Sequence, residues 1–126
     1  MNEDSKRAVL RKLLPEGEQY IVTIAGRLSK PDNADCYIGV TEHYIEVAEI
    51  DASRPDRLLR AREIAFDKIK TATCKKNLFG WQKIAISADA ENLRMVLKDN
   101  TMGTSLDKNL QLQGVKYLCQ RLQEVN

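Results

Sequence analysis

Between residues 17 and 98, short runs of apolar and β-branched residues alternate with clusters of turn formers; the chain then closes on one long segment of helical spacing. The pattern predicts seven strands, at residues 20–28, 36–40, 44–50, 58–66, 69–76, 83–88 and 93–98. In the third of these, Tyr44, Glu46, Ala48 and Ile50 share one side, and Ile45, Val47 and Glu49 the other. Residues 29–34, 41–43, 51–56, 77–81 and 89–92 read as turns or loops, and 99–103 break the pattern. The last segment, 105–124, places Leu106, Leu110, Val115, Leu118, Cys119, Leu122 and Val125 near one face of a helix capped by Thr104 or Ser105. Its opposite face carries Lys108, Gln111, Lys116, Gln120 and Gln123. Gly114 interrupts this helix at a cost of roughly 1 kcal/mol relative to Ala, which close approach of helix to sheet would offset. Residues 4–14 predict a short docking helix in which Ala8, Val9 and Leu13, with Leu10 or Leu14, make the stripe; Pro15 and Gly17 end it.

The elements predict one domain over 1–126: a helical extension (1–16), a strand region (17–104) and a capping helix (105–124). At 126 residues the chain can bury a core without staples. A net charge of +2 gives no strong attraction of the whole molecule to nucleic acid or anionic membrane and leaves only local patches to consider. Cys36, Cys74 and Cys119 are odd in number and lack a CxxC pair. They predict no zinc site and no disulfide framework, but free buried thiols in a reducing cytoplasm. The polar N-terminal residues lack the apolar stretch of a signal peptide, and the longest apolar runs span about five residues where ~20 are needed to cross a bilayer.

Seven strands and a closing helix is the order of the pleckstrin-homology (PH) fold, and three segments sharpen the likeness. Leu14-Pro15-Glu16-Gly17-Glu18 precedes the first strand, and residues 38–45, Ile-Gly-Val-Thr-Glu-His-Tyr-Ile, make a strand–turn–strand step opened by Thr41. Residues 62–80 run from the fourth strand through the fifth and into the turn after it. Over about residues 14–124 the chain resembles the bacterial PH-like domains of the YokE-like type. The resemblance implies a mainly β fold: a seven-stranded, partly open barrel of two orthogonal antiparallel sheets, capped by the C-terminal helix. It also implies a non-catalytic module that binds protein partners or assembles with itself. Eukaryotic members hold phosphoinositide head groups with basic residues at the end of strand one and in strand two. Here Arg27 and Lys30 stand near the first of these places, and residues 36–40 contain no basic residue.

Candidate chemistry is sparse. His43 is the single histidine, in a turn, and no Ser-His-Asp order, HExxH, CxxC or phosphate-binding loop occurs. No enzyme, cofactor or metal is expected. The foremost binding candidate is the turn at 77–81, where Gly80 permits a tight reversal and Leu78, Phe79 and Trp81 stand beside Lys75, Lys76 and Lys83. The bland alternative folds Phe79 or Trp81 onto the barrel mouth as core. A second basic group, Arg54, Arg57, Arg60 and Arg62, is interleaved with Asp51, Asp56, Glu63 and Asp67, as on a solvated strand with ordinary ion pairs. Three functions follow as expectations. The first is a cytoplasmic protein-interaction or self-assembly module. The second is a peripheral module that docks anionic lipid through the 77–81 turn and its lysines. A remote third is a barrel that holds a small ligand. Nucleic acid is disfavoured, because aromatic residues make up 6% of the chain and form no stacking platform.

Overall fold

A computed structural model describes residues 3–78, 80–89, 91–98 and 105–125. Helix α1 (Glu3–Leu13) leads into strands β1 (Val22–Leu28), β2 (Ala34–Val40), β3 (Tyr44–Asp51) and β4 (Arg54–Ala65). A 3-10 turn at Phe66–Lys68 bridges to β5 (Ile69–Lys76), followed by β6 (Gln82–Ala88), β7 (Asn92–Leu97) and helix α2 (Ser105–Glu124). The principal correction is β4. It begins at Arg54, inside the expected polar loop, because Asp51 pairs with Arg54 and register shifts near Ile50 absorb the turn residues.

All neighbouring strands are antiparallel, and backbone hydrogen bonds join them into one sheet in the order β4-β3-β2-β1-β7-β6-β5. The expected pair of sheets is therefore one, because β1 pairs with both β2 and β7. The β1–β7 seam is short, with Arg27 opposite Val96 and Leu28 opposite Met95. The sheet is open. Strand β4 pairs only with β3, and β5 only with β6.

Alternation decides which side chains go inward. Ile24, Ile38, Val47, Ile84, Met95 and Leu97 meet Val115, Leu118 and Leu122 of α2 in the main core. On the other face, Val9 and Leu10 of α1 pack on Tyr37, Ala48 and Ile50. Lys6 is buried in this contact, its ammonium 2.9 Å from Glu3 and donating to Thr23 O at 3.1 Å. The first turn of α1 thus holds a charged anchor where the apolar spacing suggested Ala8, which is exposed.

Helix α2 departs from its expected stripe at both ends of the polarity scale. Leu106 is 65% exposed, whereas Gln111 is 2% exposed. The Gln111 amide lies where β1 and β7 have diverged past their seam. Its Oε1 accepts from Ala25 N at 3.0 Å, and its Nε2 donates to Ala25 O at 2.8 Å and to Lys98 O at 3.0 Å. A helix side chain thus does the hydrogen bonding that a neighbouring strand would have done. Gly114, one turn on, sits against β1 as its spacing suggested. A Cβ there would lie 2.8 Å from Ile24 Cγ1 and 3.2 Å from Thr23 O. Gly114→Ala should therefore lose about 1 kcal/mol net in urea unfolding, because overpacking of 1–3 kcal/mol outweighs the gain in helix propensity. A more stable variant would show that β1 yields to the added methyl group.

The cysteines also differ from expectation. Cys74 of β5 and Cys119 of α2 form a disulfide, with their Cα atoms 5.9 Å apart. Their separation of 45 residues along the chain hid the pairing. Cys36 alone is a free thiol; burial pushes it up to about 12, so it stays protonated and inert at neutral pH.

Candidate binding surface

The 77–81 turn is closed by its first residue. Asn77 N donates to Trp81 O at 2.8 Å, Gly80 N to Asn77 O at 3.1 Å, and Trp81 N to the Asn77 side chain at 3.0 Å. Gly80 takes a φ of +83°, the left-handed value that its lack of a Cβ permits. The turn so built leaves Leu78 fully exposed at 102% and Trp81 37% exposed. The Lys98 ammonium stands over the Trp81 ring, 4.8 Å from its centre. Trp81 therefore packs beneath a lysine outside the main core, and the core reading fails for it. Phe79 and Thr104 lie outside the described residues.

The three lysines flanking the turn do not act together. Lys75 and Lys83 are register partners across β5 and β6, so their side chains share the outer face. Lys76 projects to the other side, where it lines a cleft of about 230 Å³ with Gln82, Lys116, Gln120 and the Cys119 end of the disulfide. Two cations that sequence reasoning missed take its place. On β7, Leu93, Met95 and Leu97 point into the core, which turns Arg94 outward, and Lys98 follows over Trp81. Alternation along residues 93–98 was the signal that could have found them.

The second basic group is neutralised. Arg60 reaches Glu49 at 2.9 Å and Asp32 at 3.2 Å, and Arg62 reaches the same two acids, each at 3.2 Å. Arg57 stands 3.7 Å from Asp51. Asp32 and Glu49 therefore supply the charge that Asp56, Glu63 and Asp67 were expected to supply. Arg54 is exposed and, together with Arg57, helps hold the Asp51 carboxyl below its ordinary value, behind the larger effect of hydrogen bonds from Ser53. Arg27 is likewise engaged, with Asp35 at 2.7 Å and the Asn33 side chain at 3.1 Å.

His43 serves through its backbone. Its N–H donates to Thr41 Oγ1 at 3.1 Å, and its carbonyl accepts from Phe66 N at 2.9 Å. Buried Thr41 opens this turn and also accepts from Tyr44 N at 3.0 Å. Glu46 is the unexpected titratable group. It lies opposite Glu63, with the residue 5% exposed, and burial followed by the Glu63 charge pushes its carboxyl up to about 7. Among the described residues, no group of three or more His, Cys, Asp or Glu is placed to hold a metal ion.

No family model and no curated protein matches this chain. Among solved structures, it is similar to the C-terminal domain of an unknown protein from Leishmania infantum. That similarity has a TM-score of 0.57 and 14% identity, and covers 96% of this chain and 97% of the other. The chain is also similar to the hSac2 domain from human phosphoinositide phosphatase Sac2, with a TM-score of 0.56 and 14% identity over 98% of this chain and 84% of that one. At such identities the likeness concerns the fold: a mainly β chain of seven antiparallel strands with a C-terminal helix. No helix among the described residues is long and apolar enough to cross a membrane.

Proposed function

We propose that this chain is a non-catalytic binding module of the PH-like type, a partly open barrel whose partners are other polypeptide chains, its own copies included. The observation that carries this reading is the open sheet. Strand β4 runs for 12 residues with one edge unpaired, and Leu58 and Leu59 are exposed along it. An unpaired edge is a template for an incoming strand. The arginines that would repel such a strand are engaged, Arg57 with Asp51 and Arg60 and Arg62 with Asp32 and Glu49.

His43 and Cys36 support a role without catalysis, the first through its backbone bonds and the second through burial. A cytoplasmic setting belongs to the same proposal, although pairing of Cys74 with Cys119 leaves Cys36 alone to support it. The hSac2 domain comes from a phosphoinositide phosphatase; the similarity carries its fold here and leaves its parent's chemistry with that protein.

Size-exclusion chromatography with light scattering tests the self-assembly arm. The expected result is a concentration-dependent dimer or larger species that reverts to monomer in Leu58→Lys/Leu59→Lys. A wild type that stays monomeric at the highest soluble concentration removes self-assembly and leaves binding of a different chain.

A further inference from the structure

The outer face of β5, β6 and β7 bears a charge pattern that the fold itself does not require. Reading across the register, its rows are Thr71, Ser87 and Asn92; then Thr73, Ala85 and Arg94; then Lys75, Lys83 and Val96. Trp81 and Lys98 follow at the turn end. No Asp or Glu stands in these rows. Lys75, Lys83, Arg94 and Lys98 are all exposed, and none is ion-paired among the described residues. Lys75 lies directly opposite Lys83, a like-charged cross-strand pair that destabilises a sheet. The contrast with β4 is informative, because there Arg60 contacts two acids and Arg62 three, the third being Glu91 at 4.0 Å. Helix α1 packs on β1, β2 and β4 and leaves this half of the outer face uncovered.

We propose that the outer face of β5–β7 is a docking surface for an anionic lipid bilayer, independent of the β4 edge. Lys75, Lys83, Arg94 and Lys98 meet the headgroup charge, while Leu78 and Trp81 enter the interface. Leu78 favours a bilayer over an acidic protein or a nucleic acid. A fully exposed leucine at the tip of a basic face has no counterpart among phosphates or carboxylates, whereas the acyl boundary accepts it. Trp81, partly exposed and overlaid by Lys98, has the amphipathic character that suits the headgroup level. The surface reads charge density and has no headgroup pocket. It also lies apart from the end of β1, where Arg27 is held by Asp35.

Trp81 is the single tryptophan, so its emission reports on this site alone. Wild type, Lys75→Ala/Lys83→Ala, Leu78→Glu and, as a control on β4, Arg57→Ala would be titrated with two kinds of vesicle. One is phosphatidylcholine alone; the other contains about a third phosphatidylserine. Circular dichroism would confirm that each protein is folded. The expected result is binding to the anionic vesicles only, with a blue shift of Trp81 and weakening at high salt. Each basic residue near such a surface contributes about fivefold, so the double lysine variant should bind on the order of 30-fold more weakly, and the Arg57 variant like wild type. Absence of wild-type binding at low salt would overturn the proposal. Unchanged binding by the double lysine variant, or binding without change in Trp81 emission, would do the same. Binding to soluble polyglutamate but not to vesicles would overturn it in favour of an acidic polypeptide. Size-exclusion with light scattering of the same proteins without vesicles reads the β4 edge separately, so either proposal can fail alone.

Discussion

Replacing Gln111 with Leu should cost this domain about 3 kcal/mol, near 10 °C in melting temperature, although the new side chain is more apolar and of similar size. Ordinary reasoning about a helix facing a core predicts a gain. The geometry reverses it. Gln111 bonds both backbone groups of Ala25 on β1 and the carbonyl of Lys98 beyond β7. Leucine would leave one N–H and two carbonyls without partners in a part-buried site, at about 1–3 kcal/mol each before relaxation and entry of water. Gln111→Glu sharpens the test. It keeps the acceptor for Ala25 N and replaces the two donated bonds with carboxylate oxygen facing carbonyl oxygen, so it should be at least as damaging at neutral pH. Urea unfolding measures the cost, and hydrogen exchange at the Ala25 amide should accelerate in both variants. A loss below about 1 kcal/mol with an unchanged Ala25 amide would show that the seam holds without the glutamine.

A second large effect should come from removing a charge. Glu46→Gln is expected to stabilise the protein by about 2 kcal/mol at pH 8 and to leave it nearly unchanged at pH 4. In the fold, burial first and Glu63 second raise the carboxyl from an ordinary 4.5 to about 7. The folded chain therefore keeps the Glu46 proton through a window in which the unfolded chain has released it. Its contribution to stability is fully present below about 4.5 and is lost as pH rises through about 7. Above that, folding must accommodate a buried carboxylate facing Glu63, with Tyr20 and Tyr44 alongside. The glutamine variant has no such dependence. Solvent reaching the rim of the face reduces the effect below the ~3 kcal/mol of a fully buried group. Thermal unfolding from pH 4 to 8 would decide. Parallel curves for the two proteins would mean that folding leaves the Glu46 carboxyl at its ordinary value.

Most of the fold was legible in the chain because most of it obeys a period. The bounds of β5 and α2 agree with the pattern, and Thr41 opens its turn as read. The two sides of β3 also separate as the alternation required. The failures are physical. Arg54 to Asp56 looked like a loop because charge and Pro55 mask an edge strand whose side chains are solvated on both faces. Gln111 looked like surface because side-chain type outweighed its position on the arc with Gly114, Val115 and Leu118. Lys75, Lys76 and Lys83 were grouped by nearness in sequence, whereas a strand's two-residue period sends Lys76 to the opposite side. Arg94 and Lys98 escaped because they stand far from the turn in sequence and reach its face only through the pairing of β7 with β6. The pairing of Cys74 with Cys119 joins a strand to a helix and leaves no local trace in the chain.

The bridge from α2 to β1 also orders events during synthesis. Ala25 and Gln111 are 86 residues apart, so β1 leaves the ribosome long before the side chain that satisfies it. At usual elongation rates of about 5–20 residues per second, the nascent sheet waits several seconds with that part of its seam unsealed. During that interval the backbone of Ala25 is open to any passing strand, and a chaperone that shields β1 until α2 arrives would protect the yield of folded protein rather than its final stability.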